Sequence, residues 1–267
     1  MRAFAFASAA SLAFTATAGA APADAAPRRV ASLNLCTDEL LLMLAREDQI
    51  LSISFLSQLR AESPLWKRAR RHRRNDGSLL SVAGLRPDLV LTMGGGARDR
   101  TGIAGRLGIR TLDLPFPRSL DDVEVSLRRV AAALERPAAG ALLTARIRQL
   151  RRARPARQAE TIWLGGGGRS LAANGLGAQW MALAGFGQRP LRGDIVPLEH
   201  LLVRPPAILL RSDYRSGQYS GEQRWLRHPL AKGIARSRTI VTDGRAWTCM
   251  GPLMIAEIAR LRATMTP

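Results

Sequence analysis

The sequence predicts an α/β protein of two similar lobes, each a parallel sheet covered by helices, joined by a long inter-lobe α-helix. Three observations predict it. Short β-rich runs alternate with helical stretches, which is the grammar of a parallel sheet with helical crossovers. The alternation stops at a helical region, 119–154, and then restarts. One local unit also occurs in both halves: Leu79, Val82, Pro87, Leu89, Val90 and Leu91 align with Leu198, Leu201, Pro206, Ile208, Leu209 and Leu210. The expected organisation is a leader over 1–25, an N-terminal lobe over 28–118, a helical connector over 119–154 and a C-terminal lobe over 155–267.

In the first half, strands are expected at Val30–Leu33, Ile50–Ile53, Leu89–Leu91 and Thr111–Leu114. Thr37 to Ala45 reads as a helix, with Thr37 as its N-cap and Asp38 and Glu39 favourable in its first turn. Ser119 and Asp122 fit an acidic capping box, and Val123, Leu127, Val130 and Leu134 fall on one helical face. Pro137 can open a second helix reaching about Arg154, with Leu143, Ile147 and Leu150 on one side and arginines on the other. That helix suits a strut between lobes or an ordinary crossover. In the second half, strands are expected at Thr161–Leu164, Ile208–Leu210 and Thr239–Val241, and helices at Leu176–Ala184 and Pro252–Arg262.

The N-terminus reads as a secretory signal peptide: Arg2, an uncharged apolar run from Ala3 to Ala20, and small-x-small cleavage patterns at Ala18–Ala20 and Ala23–Ala25. A periplasmic location follows. The formal net charge is +19, carried by arginine apart from Lys67 and Lys232. Such a balance suits nucleic acid, an anionic surface or an acidic ligand, and for an exported chain nucleic acid is the poorest of the three. The basic run Lys67–Arg74 reads as a solvated loop or helix face. Cys36 and Cys249 are the only cysteines. In an oxidising compartment they can pair, or remain thiols able to touch a soft metal.

Ligands of open α/β sheets lie beyond the carboxyl ends of the strands. The residues expected there are Leu35 and Cys36, then Met93, Gly94, Gly95 and Arg98. The second half supplies Trp163, Gly166 and Arg169, then Arg211, Tyr214 and Arg215, then Trp247 and Cys249. Glycine lets backbone approach a ligand, aromatic rings offer flat apolar area and arginine pairs with carboxylates. Catalytic patterns are poor. Gly165–Ser170 lacks the residues of a phosphate loop, His72, His200 and His228 show no metal-ligand spacing, and no nucleophile elbow occurs.

Arg29–Leu41, Leu85–Leu91 with Leu107–Arg110, Leu183–Phe186, Leu198–Leu202 and Trp247–Pro252 together resemble periplasmic binding proteins of ABC importers for ferric siderophores and cobalamin. The resemblance covers essentially the whole mature chain. It implies two Rossmann-like lobes on one long helix and a rather rigid cleft. The implied cargo is a metal chelate, a ferric siderophore slightly preferred over cobalamin because aromatics are sparse and arginines abundant. It implies no cofactor and no resident metal, a monomer, and partners in an ABC permease with its ATPase. Docking on the permease would use one acid per lobe: Glu199 matches the second, whereas Leu80 stands where the first belongs, with Asp76 nearby. Two other functions stay open, a secreted chelate-processing enzyme using Cys36 and an envelope sensing module.

Overall fold

The computed structural model describes residues 26–94, 98–215, 221–232, 234 and 236–265. The first lobe runs β1 (Val30–Ser32), α1 (Leu35–Leu44), β2 (Ile50–Ser54), α2 (Trp66–Ala69), β3 (Arg73–Asn75), α3 (Leu80–Ala83), β4 (Leu89–Met93), α4 (Arg98–Arg106) and β5 (Arg110–Leu114). Two helices follow, α5 (Leu120–Ala133) and α6 (Pro137–Arg152). The second lobe runs β6 (Ala159–Leu164), α7 (Leu176–Ala184), β7 (Phe186–Gln188), α8 (Leu198–Val203), β8 (Ile208–Ser212), α9 (Gly221–Arg227), α10 (Pro229–Lys232), β9 (Arg238–Thr242), α11 (Gly244–Cys249) and α12 (Met254–Ala263). The strand orders are β3-β2-β1-β4-β5 and β7-β6-β8-β9, and every pairing between these strands is parallel.

Parallel sheets need both faces covered, and the strands show it. Residues 89–92 of β4 and 208–210 of β8 are buried without a break. Their alternate residues feed different layers: Leu89 and Leu91 join the main core, and Val90 joins a smaller cluster with Leu79 and Val82 of the recurring unit. The second copy behaves alike, with Leu201 and Leu209 packed together on the outer side of its sheet. The main core runs through both lobes. It includes Leu41 of α1, Leu127 and Val130 of α5, Ile147 of α6, Trp180 of α7 and Ile258 of α12. Each such aliphatic side chain contributes about 1.5–3 kcal/mol on burial.

The connector is a pair of helices. Ser119 and Asp122 form the expected reciprocal capping box at the start of α5. The arginine face of α6 turns onto acids of α5: Arg148 meets Glu124 at 3.0 Å, and Arg151 meets Asp121 at 2.6 Å and Glu124 at 3.1 Å. Glu124 is buried, so these pairs keep its charge compensated.

Several local expectations are corrected. Asn34, not Thr37, caps α1; its side chain accepts from the Thr37 N–H at 3.0 Å, and Thr37 is buried inside the first turn. Asn, like Thr, satisfies a free helical N–H, and here the chain turns three residues earlier. Cys36 therefore lies in the first turn of α1, and Cys249 ends α11. The basic run Lys67–Arg74 ends in a strand: Arg73–Asn75 pairs with β2, and Asn75 donates to the Ser32 carbonyl and the Ser52 hydroxyl at 2.9 Å each. The short strand β7 carries no β-rich run in the sequence; pairing with β6 recruits it.

Gly140 lies where α6 crosses α5, and a Cβ there would stand 2.5 Å from the Ala131 Cβ. Gly140→Leu is expected to force the helices apart and lower unfolding free energy by about 1–3 kcal/mol in urea titration. A neutral result would mean that the helix pair is loosely packed.

Candidate ligand cleft between the lobes

The carboxyl ends of the two sheets meet. Cys36, just beyond β1, forms a disulfide with Cys249 at the end of α11, with a Cα–Cα distance of 5.3 Å. Glu39, one turn further along α1, accepts from the Leu253 N–H at 2.7 Å, at the start of α12. Beyond β2, Glu62 accepts from the Tyr214 hydroxyl at 2.6 Å and pairs with Arg215 at 2.8 Å. Arg245 of α11 holds Asp243 through two nitrogens and donates to the Arg60 carbonyl at 3.0 Å. Residues following β1, β2, β8 and β9 thus tie the lobes along one side.

The ends of β4 and β5 carry Met93, Gly94 and Phe116. Gly94 has φ +109°, and a Cβ there would stand 2.6 Å from the Phe116 ring. Glycine alone lets this ring settle over the end of β4. Phe116 is 62% exposed, a large apolar side chain presented to solvent. Met93, Pro117 and Val123 line a shallow apolar pocket with Cys36 and Cys249.

The residues expected from sequence fall into three groups. Cys36, Met93 and Cys249 gather at that pocket, with Leu35 half-buried in the first turn of α1 and Gly94 beside it. Tyr214 and Arg215 reach the opposite lobe through Glu62. The rest are elsewhere. Trp247 is a correction: it is 3% exposed, donates its indole N–H to Thr242 at 2.7 Å and belongs to the core. Trp163 is partly buried against it, ring centroids 5.8 Å apart, and Gly165 makes room for its ring. Arg211 is half-buried and shares the strand face of Leu209, toward the outer helices. Its alternation on β8 turns it away from the main core, against the expectation of a cleft arginine. Gly166 opens a short 3-10 turn, and Arg169 is exposed just after it, bridged to Ile195. Gly95 lies outside the described residues, and Arg98 is described only as backbone at the start of α4. Glu199 is exposed in the first turn of α8, and Leu80, its counterpart in the recurring unit, is 86% exposed at the start of α3.

Sequence reading missed Glu62 and Phe116. Glu62 sits in a stretch without periodicity, and its partners are 152 and 153 residues away. Phe116 stands alone among prolines, and only its packing on Gly94 distinguishes it.

Electrostatics at the junction are uneven. Burial pushes Glu39 up to about 8, only partly offset by the Leu253 N–H. Burial raises Asp38 to about 6 despite hydroxyl hydrogen bonds from Ser32, Ser54 and Ser57. Burial would raise Glu62 too, but hydrogen bonds from Arg215 and Tyr214 outweigh it and hold the carboxyl below its ordinary range. Among the described residues no group of three or more His, Cys, Asp or Glu could hold a metal ion.

No protein-family model matches the chain, and no curated protein matches it. Solved structures do. A periplasmic heme-binding protein from Pseudomonas aeruginosa is 20% identical, with 89% of this chain and 92% of that chain covered and a TM-score of 0.65. The periplasmic heme-binding protein HutB of Vibrio cholerae is 15% identical, with 90% and 99% covered and a TM-score of 0.68. The periplasmic vitamin B12-binding protein BtuF of Vibrio cholerae is 16% identical, with 89% and 96% covered and a TM-score of 0.61. The chain therefore has the two-lobed fold of these periplasmic binding proteins along nearly its whole length.

The junction yields two predictions. The disulfide closes a 213-residue separation, so Cys36→Ser with Cys249→Ser should cost about 2–4 kcal/mol of stability, read by urea unfolding against the oxidised wild-type protein. Equal stability of oxidised and reduced wild type would contradict it. For Glu39 the folded value of about 8 exceeds the ordinary 4.5, so the folded state holds the proton more tightly. Its contribution is full below pH 4.5 and is lost as pH rises to about 8. Asp38 acts likewise over a lower window, from 3.8 to about 6. Between pH 6 and 8 the decline should therefore vanish in Glu39→Gln, as thermal melts across that range would show.

Proposed function

We propose that the protein is the periplasmic binding component of an ABC import system, capturing a metal chelate between its lobes and presenting it to a membrane permease. The observation that carries this reading is the meeting of two parallel sheets at their carboxyl ends, with residues after β1, β2, β8 and β9 in contact across one junction. Strand ends are where open α/β sheets bind ligands, and a junction of two such ends encloses one from both sides. The solved structures of like fold are named for heme and vitamin B12, which supports a chelate as cargo. A disulfide joining the lobes suits an oxidising compartment.

The cleft supplies an exposed aromatic ring and arginine rather than a ready set of metal donors. A chelate that brings its own donors fits it best, and the positive charge favours an anionic one. A ferric siderophore remains the first choice, with heme or cobalamin next. The oxidised Cys36 sulfur is not available as a nucleophile, which argues against the enzyme reading.

Docking in this reading is lopsided. Glu199 offers a permease cation an exposed carboxylate, whereas the first lobe presents Leu80 at the corresponding place.

Native mass spectrometry of protein recovered from its own periplasm should show an added mass carrying a metal chelate. Phe116→Ala should weaken that complex about tenfold by fluorescence titration, equivalent to about 1.4 kcal/mol. A protein that recovers no chelate, and binds none of hemin, cyanocobalamin or ferric siderophores, would end the reading.

A further inference from the structure

Glu62 is a deeply covered charged group in the cleft, its side chain only 6% exposed, and its partners come from the other lobe. They are built to hold it. The Tyr214 hydroxyl and an Arg215 nitrogen both donate to one of its oxygens, at 2.6 and 2.9 Å, and the same nitrogen lies 2.8 Å from the other. The guanidinium also lies over the Tyr214 ring, 5.0 Å from its centroid. The turn beneath is fixed: Ser212 Oγ accepts from the Tyr214 N–H at 3.2 Å. Gly244 admits the turn, since a Cβ there would stand 2.5 Å from the Tyr214 Cβ.

Two features go beyond a simple structural ion pair. Arg215 has φ +52°, a left-handed backbone that costs a non-glycine residue about 1–2 kcal/mol. Strain of this kind clusters where geometry serves binding. The acid is covered, yet the Arg215 side chain is 41% exposed, so the cation reaches the solvent side while its partner does not. A phenol and a guanidinium set rigidly around two carboxylate oxygens form a receptor for a carboxylate, whichever molecule supplies it.

We propose that Tyr214 and Arg215 form the seat for a free carboxylate of the cargo, that Glu62 fills this seat as an internal stand-in, and that the two carboxylates exchange when cargo enters. The inference rests on the transport reading and narrows it, since the cargo must carry an uncoordinated carboxylate at its edge. Exchange keeps the charge-assisted hydrogen bonds of the seat, so the cost is that of returning one carboxylate to water and taking another out of it. The low proton affinity of Glu62 agrees with a seat selective for the ionised form.

Two measurements test it. Glu62→Ala leaves the seat without its carboxylate; excess acetate should then raise its melting temperature, compared with chloride at equal ionic strength. Wild type and the Glu62→Ala, Arg215→Ala double variant should not respond. In the second measurement, hemin and ferric citrate carry carboxylates, whereas hemin dimethyl ester and cyanocobalamin offer none. Glu62→Gln should tighten whichever carboxylate chelate binds by about tenfold and leave the controls unchanged, and Arg215→Ala should abolish the preference. An acetate effect equal in wild type, or none in Glu62→Ala, overturns the seat. So does chelate binding with no preference for carboxylates, which leaves the transport reading standing. Acetate rescue with no chelate bound ends the transport reading and the exchange with cargo together, leaving only a carboxylate-binding pair.

Discussion

The structure depends on one constraint: a sheet of parallel strands must be covered on both faces, which leaves only its strand ends free to make a site. Both sheets obey it, with helices on each side and unbroken burial over residues 89–92 of β4 and 208–210 of β8. The chain then brings the two free ends together. Helix α1 is the piece that meets both requirements. Its leucines fill the core, while Cys36 and Glu39, on its first turns, bond to α11 and to the start of α12.

The fold was legible because burial leaves a periodic trace. The runs at β1, β2, β4, β5, β6, β8 and β9 stand out as short apolar stretches, and the capping box of Ser119 and Asp122 fixed the start of α5. The recurring unit was readable too, since its leucines must enter equivalent layers in each lobe. What escaped was set by pairing rather than by local preference. Strand β3 consists of two arginines and an asparagine, and it is a strand because β2 offers it an edge.

The site was less legible, for a physical reason. Being near a strand end says which residues are close to the cleft, not which way they turn. Trp247 follows β9 as expected, yet α11 rolls its ring into the core. Arg211 is one residue short of the end of β8, and strand alternation sends it outward. Tyr214 and Arg215 lie beyond the strand, free of alternation, and they cross to the other lobe. Glu62 became visible only with its partners, because no local pattern connects positions 152 residues apart.

The sulfur link between Cys36 and Cys249 also bears on how far the lobes can swing. A container stapled along one seam cannot gape widely under thermal agitation. Any parting of the lobes must pivot about that staple, so its amplitude is least beside the two sulfurs and grows with distance from them.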